Sequence, residues 1–146
     1  MSTASRAPES EIRKAMRITR DLVQEMIDHA LAEAPDECCG VVATRDDQAV
    51  RVYPAVNIHH SPLRYEISPE ELLRIYMEIE DQGCELGAIY HSHTRSRPYP
   101  SQTDVNLAAG WPDPIYVIIG LAGEQPEFPA YTIRQGRVKD AELDVV

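Results

Sequence analysis

The sequence predicts one mixed α/β (α+β) domain, and three observations predict it. The chain has 146 residues, enough for a single substantial core, and shows no internal repeat, low-complexity tract or linker. Two stretches carry apolar residues at helical spacing behind clear start signals. Between and after them lie short apolar runs of strand length, bounded by turn residues.

Residues 1 to about 13 are polar and include a proline; they are expected to form a disordered leader ahead of the domain at 14–146. Met16 to Ile18 reads as a short strand. Thr19 is the N-cap of a helix from Arg20 to about Ala34, where Leu22, Met26 and Ala30, with Val23, Ile27 and Leu31, form one apolar stripe. Pro35 closes it. Strands follow near 38–43 and 49–56, the second entered through the polar turn Arg45-Asp46-Asp47, and Arg64 to Ile67 reads as another short strand. The second helix has the clearest start: Ser68 as cap, Pro69 at the first position and Glu71 three residues after the cap. It should carry Leu72, Ile75, Tyr76 and Ile79 inward and stop at Gly83. Leu86 to Tyr90 is a buried strand that runs into His91-Ser92-His93. A loop with two prolines leads to Ser101, after which Thr103 to Ala109 can form a short helix ended by Gly110. Ile115 to Leu121 is a buried strand, and 130–134 with 137–143 makes a hairpin around Gln135-Gly136.

Bulk properties exclude several classes. The longest apolar run, Ile115 to Leu121, is far shorter than a membrane span, and the N-terminus lacks the apolar core of a secretory signal. A formal net charge of −10 speaks against binding the phosphate backbone of nucleic acid. Of the three cysteines, Cys38 and Cys39 are adjacent, a poor geometry for pairing, and Cys84 stands alone. Reduced, buried thiols in a cytoplasmic protein are the expectation. Nothing in the sequence places a histidine beside them as a nucleophile would need, and no second Cys/His cluster points to a structural zinc.

The chemistry is concentrated in the pattern H-S-H-x7-S-x-x-D. Successive strand side chains point to opposite faces, so His91 and His93 project on the same side. Asp104 falls in the first turn of the short helix that Ser101 begins. Two imidazoles and one carboxylate leave a tetrahedral zinc with its fourth position open for water, as in a catalytic site. The plain readings are two half-exposed histidines on a strand, and a Ser-x-x-Asp capping box at a helix start. It is the combination at this spacing that favours a metal. A non-ligand carboxylate is then needed to take a proton from water, and Glu37 lies where a helix ends and a buried strand begins, with Asp36 and Glu33 as competitors. Ser101 is the candidate donor to an oxyanion.

These residues carry a resemblance. The chain resembles the JAMM (MPN+, Mov34/Pad1-type) zinc metallopeptidases, whose signature is a glutamate followed by H-S/T-H-x7-S-x-x-D. His91, His93, Ser101 and Asp104 match without departure, and Glu37 in Asp36-Glu37-Cys38-Cys39-Gly40 matches the family's glutamate. The likeness spans the chain from about Met16 onward. It implies a curved mixed β-sheet flanked by helices (the JAMM/MPN, cytidine-deaminase-like fold), and one catalytic Zn2+ on His91, His93 and Asp104. It also implies Glu37 as acid–base and cleavage of a peptide or isopeptide bond after a ubiquitin-like C-terminal glycine.

Compact bacterial members with D-E-x-C-G and Y-H-S-H-T segments are similar to this chain at 36–40 and 90–94. That group trims a ubiquitin-like sulfur-carrier protein ending in Gly-Gly and releases cysteine in cysteine biosynthesis. The resemblance therefore implies such a carrier as partner, with no nucleic acid and no membrane. Arg95 and Arg97 lie between the ligand groups, where a guanidinium fork suits the free carboxylate of a released amino acid; the plain reading is a solvated loop charge. Other readings are an isopeptidase acting on another ubiquitin-like modifier, or a non-catalytic scaffold of the same fold. A related DNA-repair-associated family shares the pattern, but the acidic charge opposes DNA contact. His59 and His60 read as polar loop residues, His29 as a boundary residue, and Trp111 as packing.

Overall fold

The computed structural model describes residues 14–146, so the expected leader lies outside the described residues. The chain runs β1 (Ala15–Ile18), α1 (Arg20–Glu33), β2 (Cys39–Arg45), β3 (Gln48–Ala55), α2 (Pro69–Asp81), β4 (Glu85–His93), α3 (Gln102–Ala108), β5 (Ile115–Gly120), β6 (Ala130–Arg134) and β7 (Arg137–Val145). The strands form one mixed sheet in the order β1-β3-β2-β4-β5-β6-β7, flanked by helices as expected. Its curvature goes to completion: β1 pairs in parallel with β7 on one side and with β3 on the other, which closes the sheet into a barrel. Closure leaves the ends of the strand order paired rather than open to another chain.

Local sequence explains the element ends. Thr19 and Ser68 cap α1 and α2 by accepting from Leu22 N and Glu71 N. Asp46 and Asp47, with φ of 51° and 62°, make the two-residue turn between β2 and β3, and Gln135-Gly136 does the same between β6 and β7. In α1, Val23, Met26, Ile27 and Ala30 are buried, while Leu31 at the rim of the expected stripe is 56% exposed. In α2 only Ile75 and Ile79 are buried. Tyr76, expected inward, sits at the boundary: its ring lies 5.7 Å from that of Trp111 and its hydroxyl donates to Glu80.

The expected strand at Arg64 to Ile67 does not form; it joins no ladder. One buried side chain takes the ladder's place. Asn57 donates to the carbonyls of Arg64 and Glu37, each at 3.0 Å, and its Oδ1 accepts from the backbone N–H of His59 and Glu66. Buried backbone polar groups need partners, and here the Asn57 side chain, with one backbone bond from Ile58 N–H to the Glu66 carbonyl at 3.0 Å, supplies them without a strand ladder.

Both faces of the sheet are covered around β2, β4 and β5, so those strands read as unbroken apolar runs. Val42, Ala88, Tyr90, Val117 and Ile119 pack with Met26 and Ala30 of α1. Val41, Ile89 and Tyr116 pack on the other face with Ile75 and Ile79 of α2. The period of two along β4 thus sends Tyr90 to the α1 face and Ile89 to the α2 face. Tyr90 lies so close to Gly40 of β2 that a Cβ there would overlap its ring, which accounts for the glycine after Cys39.

Candidate metal centre

The alternation that puts Ile89 on the α2 face carries His91 and His93 to the same face at the carboxyl end of β4. β4 pairs in parallel with β5, and the connection between them passes through the 94–100 loop and α3. That path returns the start of α3 to the end of β4. Ser101 caps α3 by accepting from Asp104 N at 3.1 Å, and the Asp104 carboxylate accepts from Ser101 N at 3.0 Å. The reciprocal capping box therefore exists, and it also fixes Asp104 against the two histidines.

The resulting geometry is a near-equilateral triangle. His91 Nε2 and His93 Nε2 are 3.2 Å apart, and each lies 3.1 Å from Asp104 Oδ2. Ligand atoms about 2.0–2.1 Å from one tetrahedral zinc would be about 3.3 Å from one another, close to what is seen. His93 Nδ1 lies 2.8 Å from the carbonyl oxygen of Arg97, which only accepts, so Nδ1 carries the proton. A neutral His93 then presents a lone pair from Nε2 into a triangle already holding a carboxylate. Such a triangle calls for a cation.

Electrostatics of the metal-free site agree. Burial lowers the His91 pKa more than the neighbouring carboxylate raises it. Burial also opposes charge on His93, but hydrogen bonds to Asp104 and to the Arg97 carbonyl outweigh it and raise its pKa. Burial would raise Asp104, yet the hydrogen bonds to His91 and His93 hold its carboxyl well below the usual range. A proton on the cluster stands in for a positive ion.

Glu37 completes the group. It lies between α1 and β2, two residues before the strand, is only 4% exposed, and offers a ligand-type atom within 4.8 Å of those of His91, His93 and Asp104. Its Oε1 has no hydrogen-bond partner among the described residues, and neither does Nδ1 of His91. Burial, the largest effect, pushes the Glu37 carboxyl up to about 8; charge on His93 pulls it down and Asp104 pushes it up. Its backbone is anchored at both ends, N–H to Ser61 O and carbonyl to Asn57 Nδ2. A buried carboxyl with one unpartnered oxygen beside convergent ligand atoms is suited to proton transfer.

The remaining expected residues sort themselves by contact. Ser101 is exposed; its Oγ accepts from Asp104 N, and its own O–H has no acceptor among the described residues. Arg97 is tied to the centre through its backbone carbonyl, while its guanidinium lies over the Tyr99 ring, 4.7 Å from the centroid. Arg95 is exposed on the same loop. His59 bonds Glu66 at 3.0 Å and His29 bonds Tyr90 Oη at 2.7 Å, so neither joins the cluster. All three cysteines are buried and unpaired.

Comparison with known proteins bears on the whole assembly. A family model described as prokaryotic homologs of the JAB domain matches residues 19–134. The chain belongs to this family. Among similar proteins, the CysO-cysteine peptidase of Mycobacterium tuberculosis is 38% identical over 132 residues, covering 88% of this chain and 90% of that protein. A probable TtuB-protein conjugate cleaving protease of Thermus thermophilus is 41% identical over 107 residues, 73% of this chain and 70% of that one. The solution structure of a Desulfitobacterium hafniense protein, 30% identical, superimposes with a TM-score of 0.78 over 90% of this chain and 92% of that one. The compact JAMM/MPN+ identification, and the fold that goes with it, stand.

Two residues of the centre escaped the sequence reading. Tyr65 stacks on His91, ring centroids 4.2 Å apart and planes 21° from parallel. Asn57 holds both the segment that presents Tyr65 and the carbonyl of Glu37. The available signal was an aromatic residue between polar neighbours just before the Ser68 cap, which reads equally well as a strand position.

Proposed function

We propose that this protein is a cytoplasmic zinc peptidase of the JAMM type that hydrolyses the bond after the C-terminal Gly-Gly of a ubiquitin-like sulfur-carrier protein, releasing cysteine. The observation that carries the reading is the triangle of His91, His93 and Asp104 ligand atoms with the buried Glu37 carboxyl, its Oε1 unpartnered, beside it. The relative named as a CysO-cysteine peptidase, matched over nearly its full length, supports the substrate. Buried free thiols suit a reducing compartment.

His91, His93 and Asp104 would hold the ion, two nitrogens and an oxygen being a donor set that zinc accepts in catalytic sites. Bound there, zinc supplies Lewis acidity, which brings the pKa of the attacking water from about 16 to roughly 7. Glu37 takes a proton from that water as its oxygen adds to the terminal glycine carbonyl carbon, and passes the proton to the leaving nitrogen as the C–N bond breaks. Ser101 Oγ–H donates to the oxygen on which charge develops. The products are the carrier's glycine carboxylate and a free amino acid, whose own carboxylate meets the guanidinium of Arg97, with Arg95 nearby on the loop.

The Thermus relative's name, a conjugate-cleaving protease, favours a second reading in which an isopeptide bond to a ubiquitin-like modifier is the substrate. Intact-mass analysis separates the two. A Gly-Gly-ended carrier extended by one cysteine should lose that residue's mass on incubation with the zinc-loaded protein, and a chelator should block the loss. No loss from zinc-loaded protein would discard this substrate and leave the isopeptide conjugates to be tested.

A further inference from the structure

The two histidines are held by different means. His93 is fixed by a hydrogen bond from Nδ1 to the Arg97 carbonyl. Metal-ligating histidines ordinarily have such a bond on the nitrogen that does not face the ion, since it sets tautomer and ring orientation. His91 has none: its Nδ1 is buried and without a partner among the described residues. Its ring instead lies flat against Tyr65, at 4.2 Å and 21°. Tyr65 is itself buried, and its backbone is clamped by Asn57, which binds the carbonyl of Arg64 and the N–H of Glu66 on either side. A ring stacked at this distance blocks rotation of the imidazole about its Cβ–Cγ bond, because any turn drives an edge into the tyrosine face.

We infer that Tyr65 is a positioning residue that holds His91 in its metal-ligating orientation, replacing the hydrogen bond that His93 has and His91 lacks. The inference rests on the reading of the triangle as a metal site. It assigns the role to the ring and not to the hydroxyl, for which no hydrogen bond in the described residues is needed.

The test compares wild type with Tyr65→Phe, Tyr65→Leu and Tyr65→Met, the last keeping apolar bulk without a ring in case the leucine variant does not fold. Zinc affinity is measured by competition with a chromogenic chelator, and the Co2+-substituted proteins are compared by their ligand-field spectra. Phe should stay within about twofold of wild type with the same spectrum. Leu and Met should lose about tenfold or more in affinity, the range of losses found when partners of a ligating histidine are removed, with an altered spectrum. A folded Leu or Met variant with wild-type affinity and spectrum would overturn the inference, as would a Phe variant as weak as they are. Failure of the wild-type protein itself to bind either ion would instead overturn the metal reading on which it rests.

Discussion

His93 donates its Nδ1–H to the carbonyl oxygen of Arg97 at 2.8 Å. Through that one bond the loop joining the two ligand groups fixes a proton on Nδ1 of His93 and turns Nε2 toward Asp104 and the proposed metal position. Zinc should therefore stabilise the folded protein as well as activate it. At a free concentration about 100 times its Kd the expected gain is about 2.7 kcal/mol, or roughly 5–10 °C in Tm for a chain of this size. Differential scanning calorimetry with zinc and with excess chelator measures it; coincident curves would exclude a site in the folded state.

Glu37 is expected to work without ligating. Glu37→Gln should lower kcat by at least about a hundredfold while one zinc per chain remains bound, seen by activity assay beside metal analysis. In metal-free protein the same substitution has a second signature. The folded carboxyl keeps its proton up to about 8, whereas its ordinary value is 4.5. Between those values the folded state holds more protons than the unfolded one, so stability falls as pH rises. Metal-free Glu37→Gln should escape that fall, and its Tm advantage over wild type should grow from pH 5 to pH 8.

Ser101 has two separable duties. Its oxygen caps α3, and its hydroxyl hydrogen remains free to donate. Ser101→Ala should cost about 1 kcal/mol of stability, whereas Ser101→Gly costs only a few tenths, since glycine is nearly as good a cap. Both variants lack the donor, so both should lose about a hundredfold or more in kcat. Equal stabilities with unequal rates would contradict this division.

For Arg97 the prediction is a KM effect confined to one kind of substrate. The substitution Arg97→Ala leaves the backbone carbonyl on His93 in place and removes only the guanidinium stacked on Tyr99. KM for a carrier ending in a free amino acid should rise about tenfold, the worth of one charge-assisted contact, with little change when that carboxylate is blocked as an amide. Arg95→Ala should raise it less, because among the described residues no contact orients that side chain as Tyr99 orients Arg97. An equal rise for acid and amide would remove the carboxylate-binding role.

What the sequence determined by itself was everything whose geometry is local. The period of a strand places His91 and His93 on one face, and the capping box places Asp104 in the first turn of α3, three residues from its serine. Helix caps at Thr19 and Ser68 and the two-residue turns were legible for the same reason: each is settled within a few residues by backbone sterics and hydrogen bonds. The segment from Arg64 to Ile67 was not, because its alternating pattern suits a strand, whereas bonds to the buried side chain of Asn57 and to Ile58 N–H, just upstream, decide otherwise. The stack of Tyr65 on His91, the closure of the sheet by β1 on β7, and the approach of Glu37 to the triangle all join parts of the chain far apart in sequence. Such contacts depend on how whole elements pack against a shared core, and no local residue pattern encodes that packing.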